Sequence, residues 1–150
     1  MATTYNLYKN GTKAESGVTS PKALTGLTAN TDYTFQIYAE TDGVETPYSK
    51  VANVKTLPVA VTGVTIAPKN ATGTTGTAGT KQFTGTIAPT NATNKGMTYT
   101  ISPTTAGYTI GASTGLVSWT DVAVPAVITV KVTTTDGNKT DTGTLTTTAP

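Results

Sequence analysis

The chain has 150 residues with ten lysines, no arginine and eight acidic residues, and its net charge at pH 7 is +2. It contains neither histidine nor cysteine. These counts exclude disulfides, zinc fingers and nucleophile pairs built on histidine or cysteine. The scattered lysines offer no concentrated basic face, so we expect no nucleic-acid partner.

The N-terminal stretch MATTYNLYKN runs directly into strand-like residues. It lacks the basic and apolar regions of a secretion signal, so if Met1 is the natural start we expect the product not to be exported by that route. The hydrophobic fraction of 36% permits compact cores, and no membrane association is expected. Threonine supplies 39 residues, and this β-branched type favours strands over helices.

Three dipeptides typical of tight hairpin turns lie between runs of strand-forming residues. They are Asn10-Gly11, Asp42-Gly43 and Asp136-Gly137. The runs themselves alternate between apolar and polar residues, as in Met97 to Ser102, and no segment of a dozen residues has a 3.6-residue period. We therefore predict an all-β protein of antiparallel β-sandwich domains, with essentially no helix beyond a turn.

The first third of the chain has a turn-to-strand segment with a tyrosine at its junction. The stretches YNLYKNGTK, LTGLTANTDYTFQIYAE and TPYSKVANVKTLP resemble strands C, F and G of fibronectin type III domains, over residues 5 to 57. In that family a tyrosine near the start of strand F returns its hydroxyl to the backbone of the preceding crossing. The resemblance implies that the Tyr33 hydroxyl bonds to the backbone near Leu27.

Almost nothing precedes Tyr5 to supply strands A and B, and only a short candidate for strand E occurs around 22–25. We therefore expect an apolar inner face with little to cover it, formed by Tyr5, Leu7, Tyr33, Phe35 and Ile37. Exposed apolar faces and open sheet edges often mark interaction sites. We predict that this face binds another subunit or a second copy of the chain. Alternatively, the short domain closes over its own core through loops, or folds against its neighbour.

A domain boundary is predicted at Leu57-Pro58, giving a first domain of residues 1–57 and a second of residues 58–150. The apolar positions of the alternating strands predict the second core. Its members are Phe83, Ile87, Tyr99, Ile101, Ile128 and Val130.

The second domain carries the stretches VTGVTIAPKNAT, TGLVSW and ITVKVTTTDGNKTDTGTLTT in that order. With the intervening residues they resemble the bacterial immunoglobulin-like group 2 domain over residues 59 to 148. Members of that family occur in bacterial surface proteins and phage structural proteins. Tyr99 stands where the family commonly has tryptophan, and Trp119 is expected to pack in the core or at a sheet edge.

Three further patterns have a functional and a purely structural interpretation. The glycine-rich run 73–79 lacks the lysine and the helix of a phosphate-binding loop, so we predict an ordinary loop. Glu40, Asp42 and Glu45 carry oxygen ligands suited to calcium, but carboxylates at an exposed turn are more often simply solvated. We predict no metal site and no cofactor.

Tyr8 and Tyr38 should share the outer face of the first sheet. They form either a candidate glycan-stacking surface or a cross-strand aromatic pair that stiffens the sheet. The second interpretation is the stronger one.

The pairing of the two resembled families implies a non-enzymatic bacteriophage virion protein. It would decorate the capsid or tail, made in the host cytoplasm, with the major capsid or tail protein as its partner. The Ig-like domain would then face outward, with at most weak contact to host-surface glycans. The alternatives are a spacer or adhesion module at the bacterial cell surface and a carbohydrate-binding accessory module.

Overall fold

A computed structural model describes residues 2–150, and within that range it contains fourteen β-strands and no helix. The chain divides into two compact units, the first ending at Pro58 and the second beginning at Val59. The predicted all-β, predominantly antiparallel class is confirmed. No helix in the described range is long and apolar enough to cross a bilayer.

The first unit is a single antiparallel sheet of five strands. These are β1 (Thr4–Lys9), β2 (Thr12–Glu15), β3 (Asp32–Thr41), β4 (Val44–Pro47) and β5 (Ala52–Lys55). The strand order is β2-β1-β3-β4, and β5 pairs with the N-terminal half of β3. The ten-residue β3 therefore forms the centre of the sheet, with β1 on one side and β4 and β5 sharing the other.

Two predicted turns connect these strands. Both residues of Asn10-Gly11 have positive φ, 52° and 77°, and so do both residues of Asp42-Gly43, 53° and 79°. Paired positive φ values characterise the type I′ turn, whose twist matches that of the flanking strands. The two hairpins β1-β2 and β3-β4 follow from this turn chemistry.

The short strand E expected around 22–25 is wrong, because residues 16–31 contain no strand. The segment expected to form strand G is divided into β4 and β5 by a break at 48–51. At this break Ser49 takes the place of the backbone ladder. The Ile37 N–H donates to Ser49 Oγ (2.9 Å), while the Ile37 carbonyl accepts from the N–H groups of Tyr48 (2.9 Å) and Ser49 (3.1 Å).

The second unit contains nine strands in three sheets. They are β6 (Gly63–Ala67), β7 (Asn70–Thr74), β8 (Gly79–Gln82), β9 (Thr84–Ala88), β10 (Met97–Ser102), β11 (Tyr108–Ile110), β12 (Leu116–Trp119), β13 (Val127–Thr134) and β14 (Thr140–Thr148). The sheets have the orders β10-β13-β14-β7, β11-β12-β8 and β6-β9. All pairings are antiparallel except β14-β7, which is parallel.

A hairpin joins β13 to β14 where Asp136-Gly137 predicted one, but the positive φ values fall one residue later. They belong to Gly137 (69°) and Asn138 (48°). Asp136 instead uses its side chain, whose Oδ2 accepts a bond from the Val61 N–H at 2.8 Å. The residue therefore ties the start of the second unit to this hairpin.

The core of the second unit lies between its sheets and contains the predicted residues. Phe83, Ile87, Tyr99, Ile128 and Val130 are buried, and Ile101 packs half-buried at the margin. The strict alternation of β13 accounts for this arrangement, since every second side chain points inward.

Candidate functional site

The five residues predicted as a partner interface share one face of the first sheet, here called the inner face. The β1-β3 register pairs Leu7 with Ile37 and Tyr5 with Ala39, and Tyr33 and Phe35 follow the same alternation on β3. Directly opposed residues of an antiparallel pair point to the same side. Leu7 and Phe35 are each only 8% exposed, whereas Tyr5 is 36% exposed and Tyr33 and Ile37 are half-buried.

A segment of the same chain covers the middle of this face. We call residues 19–27 the strap, because this segment connects β2 to β3 along the chain and passes over the inner face of the sheet. The strap residues Leu24 and Leu27 line a cavity with Leu7 and Phe35, and Leu24 lines a second cavity with the same two residues and Ile37. The unit therefore covers part of its own apolar face with a loop, as one of the two sequence-based alternatives anticipated.

The margin of the inner face stays open and aromatic. The rings of Tyr5 and Tyr48 meet edge to face, with centroids 5.1 Å apart and an interplanar angle of 60°. Tyr48 is 67% exposed. Tyr48 was not among the interface residues predicted from the sequence, because its position depends on the break between β4 and β5. The pair offers a polar-tipped aromatic surface of the kind enriched at interfaces.

The hydroxyl of Tyr33 bonds to the backbone near Leu27, as predicted. It accepts a hydrogen bond from the Thr28 N–H at 2.9 Å, and this bond lowers the pKa of Tyr33. The hydroxyl of Thr56 reinforces the same corner by donating to the Thr28 carbonyl (2.6 Å) and accepting from the Thr31 N–H (2.9 Å). These bonds fix the C-terminal end of the strap to the sheet.

Tyr8 and Tyr38 pack together on the opposite, outer face. Their ring centroids lie 4.4 Å apart with an interplanar angle of 37°, and both side chains are half-buried. The Tyr8 hydroxyl donates to Glu45 Oε2 at 2.5 Å, and this bond raises the pKa of Tyr8. The two rings thus form a cross-strand pair anchored at one end. Glycan stacking on this pair stays a prediction.

Two of the three carboxylates considered as calcium ligands, Glu40 and Glu45, are bonded to neighbouring side chains. Glu40 and Glu45 are directly opposed on β3 and β4, and Lys13 Nζ lies 2.7 Å from Glu45 Oε1 and 3.5 Å from Glu40 Oε2. Hydrogen bonds from Lys13 first, and then from Tyr8, lower the pKa of Glu45 to about 2. Among residues 2–150, no three metal-ligating side chains are grouped so that they could hold an ion.

Asn6 joins this polar cluster and was missed by sequence analysis. Its side chain is 1% exposed, yet it is fully bonded. Nδ2 donates to Glu40 Oε2 at 2.7 Å and to Glu45 Oε1, and Oδ1 accepts from the Gly17 N–H at 3.2 Å. A buried amide requires such partners. Its alternating position within β1 indicated only the outer face, and nothing in the local sequence indicated burial.

The glycine-rich run 73–79 forms the end of β7, a short loop and the start of β8. The Trp119 side chain leaves no room for a side chain at two of these glycines. A Cβ on Gly73 would lie 2.8 Å from the indole, and a Cβ on Gly79 would lie closer still. The indole Nε1–H donates to the Thr74 carbonyl at 3.0 Å. Trp119 is 8% exposed and belongs to the core, so these glycines make room for an aromatic side chain.

The chain is similar in sequence to a curated phage protein. An Ig-like virion protein of Serratia phage KSP90 is 49% identical to this chain over 88 residues. The match covers 55% of this chain and 30% of the relative, so the chain spans less than a third of that protein's length. No protein-family model matches the chain.

Several solved structures are also similar to it. Domains EC1-4 of Drosophila N-cadherin match 99% of this chain and 41% of their own, with 11% identity and a TM-score of 0.49. Domains 4 and 5 of the S-layer protein SbsC match 97% of this chain and 70% of their own, with 14% identity and a TM-score of 0.47. Both TM-scores are below 0.5, and the strands and sheets of the chain itself define its all-β fold.

Proposed function

We propose that this chain is a non-enzymatic structural protein of a bacteriophage particle that decorates the surface of the capsid or tail. The observation that carries the proposal is the 49% identity to the Ig-like virion protein of a Serratia phage over 88 residues. The all-β architecture is compatible with a structural role, although such folds host many functions. The absence of histidine and cysteine from the sequence removes the commonest nucleophilic and acid–base devices.

The first unit is the proposed attachment point, and its partner is a major capsid or tail protein or a further copy of the chain. Tyr5 and Tyr48 form an exposed aromatic margin beside the apolar residues Leu7, Phe35 and Ile37. Partly exposed aromatic side chains commonly anchor protein interfaces. The immunoglobulin-like second unit would then project from the particle, with at most weak adhesion to host-surface glycans.

Quantitative mass spectrometry of gradient-purified particles of the encoding phage tests the proposal. The chain should be present in a copy number that matches a capsid or tail lattice. Its absence from particles that contain all other structural proteins would refute the virion assignment.

Attachment through the first unit has a separate test. The double substitution Tyr5→Ser and Tyr48→Ser should reduce incorporation strongly, because it removes the exposed aromatic margin without altering a buried residue. The control Val122→Ser changes an 82% exposed apolar residue of the second unit and should leave incorporation unchanged. Normal incorporation of the double variant would refute this attachment site and leave the virion assignment standing.

A further inference from the structure

The strap is bonded to the first sheet at both of its ends. On the N-terminal side the Val18 N–H donates to the Tyr5 carbonyl at 2.8 Å. On the C-terminal side the Thr28 N–H donates to the Tyr33 hydroxyl at 2.9 Å. These two points fix where the strap leaves and rejoins the sheet.

Between these points the strap is held almost entirely by side chains. Among the residues that the structure describes, its only hydrogen bond joins Lys22 Nζ to Glu15 Oε1 at 2.5 Å. The two side chains are 40% and 45% exposed, and such surface ion pairs contribute little to stability. Leu24, the apolar strap residue that lines both cavities, is itself 41% exposed.

The strap also packs incompletely against the sheet. The two cavities are clefts of about 220 and 230 Å³, both partly open to solvent, that reach Leu7, Phe35 and Leu24; one is lined by further strap residues and the other by Val18 and Ile37. Along these clefts the strap lacks the close contacts of a well-packed interior. A segment with few backbone bonds and few apolar contacts belongs to the low-stability end of a structure.

We infer that the strap is a displaceable cover, which swings away from Leu7 and Phe35 while both of its ends and the five-stranded sheet stay folded. The opening exposes the apolar centre of the inner face. The relevance of this opening to attachment rests on the proposed function, but the opening itself is a property of the isolated chain. Measurements on the purified protein therefore test it separately from particle assembly.

Thiol labelling of the full chain measures the opening directly, because the sequence contains no cysteine. Leu7→Cys introduces a single thiol beneath the strap, and an aromatic disulfide reagent reports its exposure. Hydrogen exchange of the amides that join β1 to β3 gives the rate at which the whole sheet opens. The thiol should be labelled at least about tenfold faster than labelling through this opening of the whole sheet would permit. Its rate should depend weakly on urea, since local opening exposes little surface.

A second substitution tests whether the strap controls access. Leu24→Ala in the Leu7→Cys background should raise the labelling rate several-fold, because it removes the apolar strap side chain that lines both cavities with Leu7 and Phe35. The control Val44→Ala, at a 65% exposed position of β4, should not change it. If Leu7→Cys unfolds the unit, Ile37→Cys gives the same measurement, since Ile37 lines the cavity beside Leu24.

Two results would overturn the inference. Labelling with the steep urea dependence and the rate of sheet unfolding would show that the strap does not open by itself. Fast labelling that Leu24→Ala leaves unchanged would show that the reagent enters through the cavities without movement of the strap.

Discussion

Replacing Gly79 with alanine should destabilise the second unit by forcing Trp119 out of its place. The added Cβ would lie 2.5 Å from Cε2 of the indole and closer still to Cζ2. Ordinary van der Waals contact begins at 3.4 Å, so the ring must move by about 1 Å. It cannot move towards Gly73, because that glycine already packs against the same ring.

The expected loss has two parts. Overpacking of a well-packed core costs about 1 to 3 kcal/mol. Displacement of the indole also weakens the part-buried bond from Nε1 to the Thr74 carbonyl, and such a hydrogen bond contributes about 0.5 to 1.5 kcal/mol. Together they predict that Gly79→Ala lowers the free energy of unfolding by about 1.5 to 4.5 kcal/mol.

Urea unfolding followed by tryptophan fluorescence measures this loss, because Trp119 is the only tryptophan and lies in the second unit. Gly63→Ala is the matched control, since a Cβ there meets no atom within 4 Å and no positive φ is lost. It should change the free energy of unfolding by no more than about 0.5 kcal/mol. If Gly79→Ala proved as mild as Gly63→Ala, the packing of Trp119 against the glycine-rich run would be refuted.

Three further predictions concern the corner, the core and the polar cluster. Tyr33→Phe should lower the free energy of unfolding of the first unit, measured by calorimetry, by about 0.5 to 1.5 kcal/mol. The substitution removes the acceptor of the exposed Thr28 N–H, and water partly replaces that acceptor. An unchanged melting curve would contradict a role for the hydroxyl. Ile128→Ala should cost the second unit about 2 to 5 kcal/mol in urea titration, whereas its 58% exposed neighbour Val127→Ala should have little effect, and equal losses would contradict the assigned faces. The pKa of Glu45 in the folded unit is about 2, below its ordinary 4.5, so its contribution to stability is present above about pH 4.5 and is lost as the pH falls towards 2. The melting temperature of the first unit should fall over this range, and Glu45→Gln should flatten the decline; an identical acid profile in the variant would contradict this assignment.

The sequence by itself determined the local geometry of both units. Alternation of period 2 assigned the inward faces of β10 and β13, because successive side chains of a strand must point to opposite sides. The Asn10-Gly11 and Asp42-Gly43 turns followed from the tolerance of these residues for positive φ. The Tyr33 hydroxyl bond followed from the resemblance of this segment to fibronectin type III domains, and its partner Thr28 lies only five residues away.

Only the tertiary structure decided which long-range neighbours complete these elements. Asn6 is buried because Glu40 and Glu45, more than thirty residues later, meet it across the sheet. The glycines of run 73–79 are explained by Trp119 on another strand, and the inner face is covered by a strap that has no strand pattern of its own. A local pattern specifies the direction in which a side chain points, but the group it meets depends on chain segments brought together by folding, and no local period encodes that pairing.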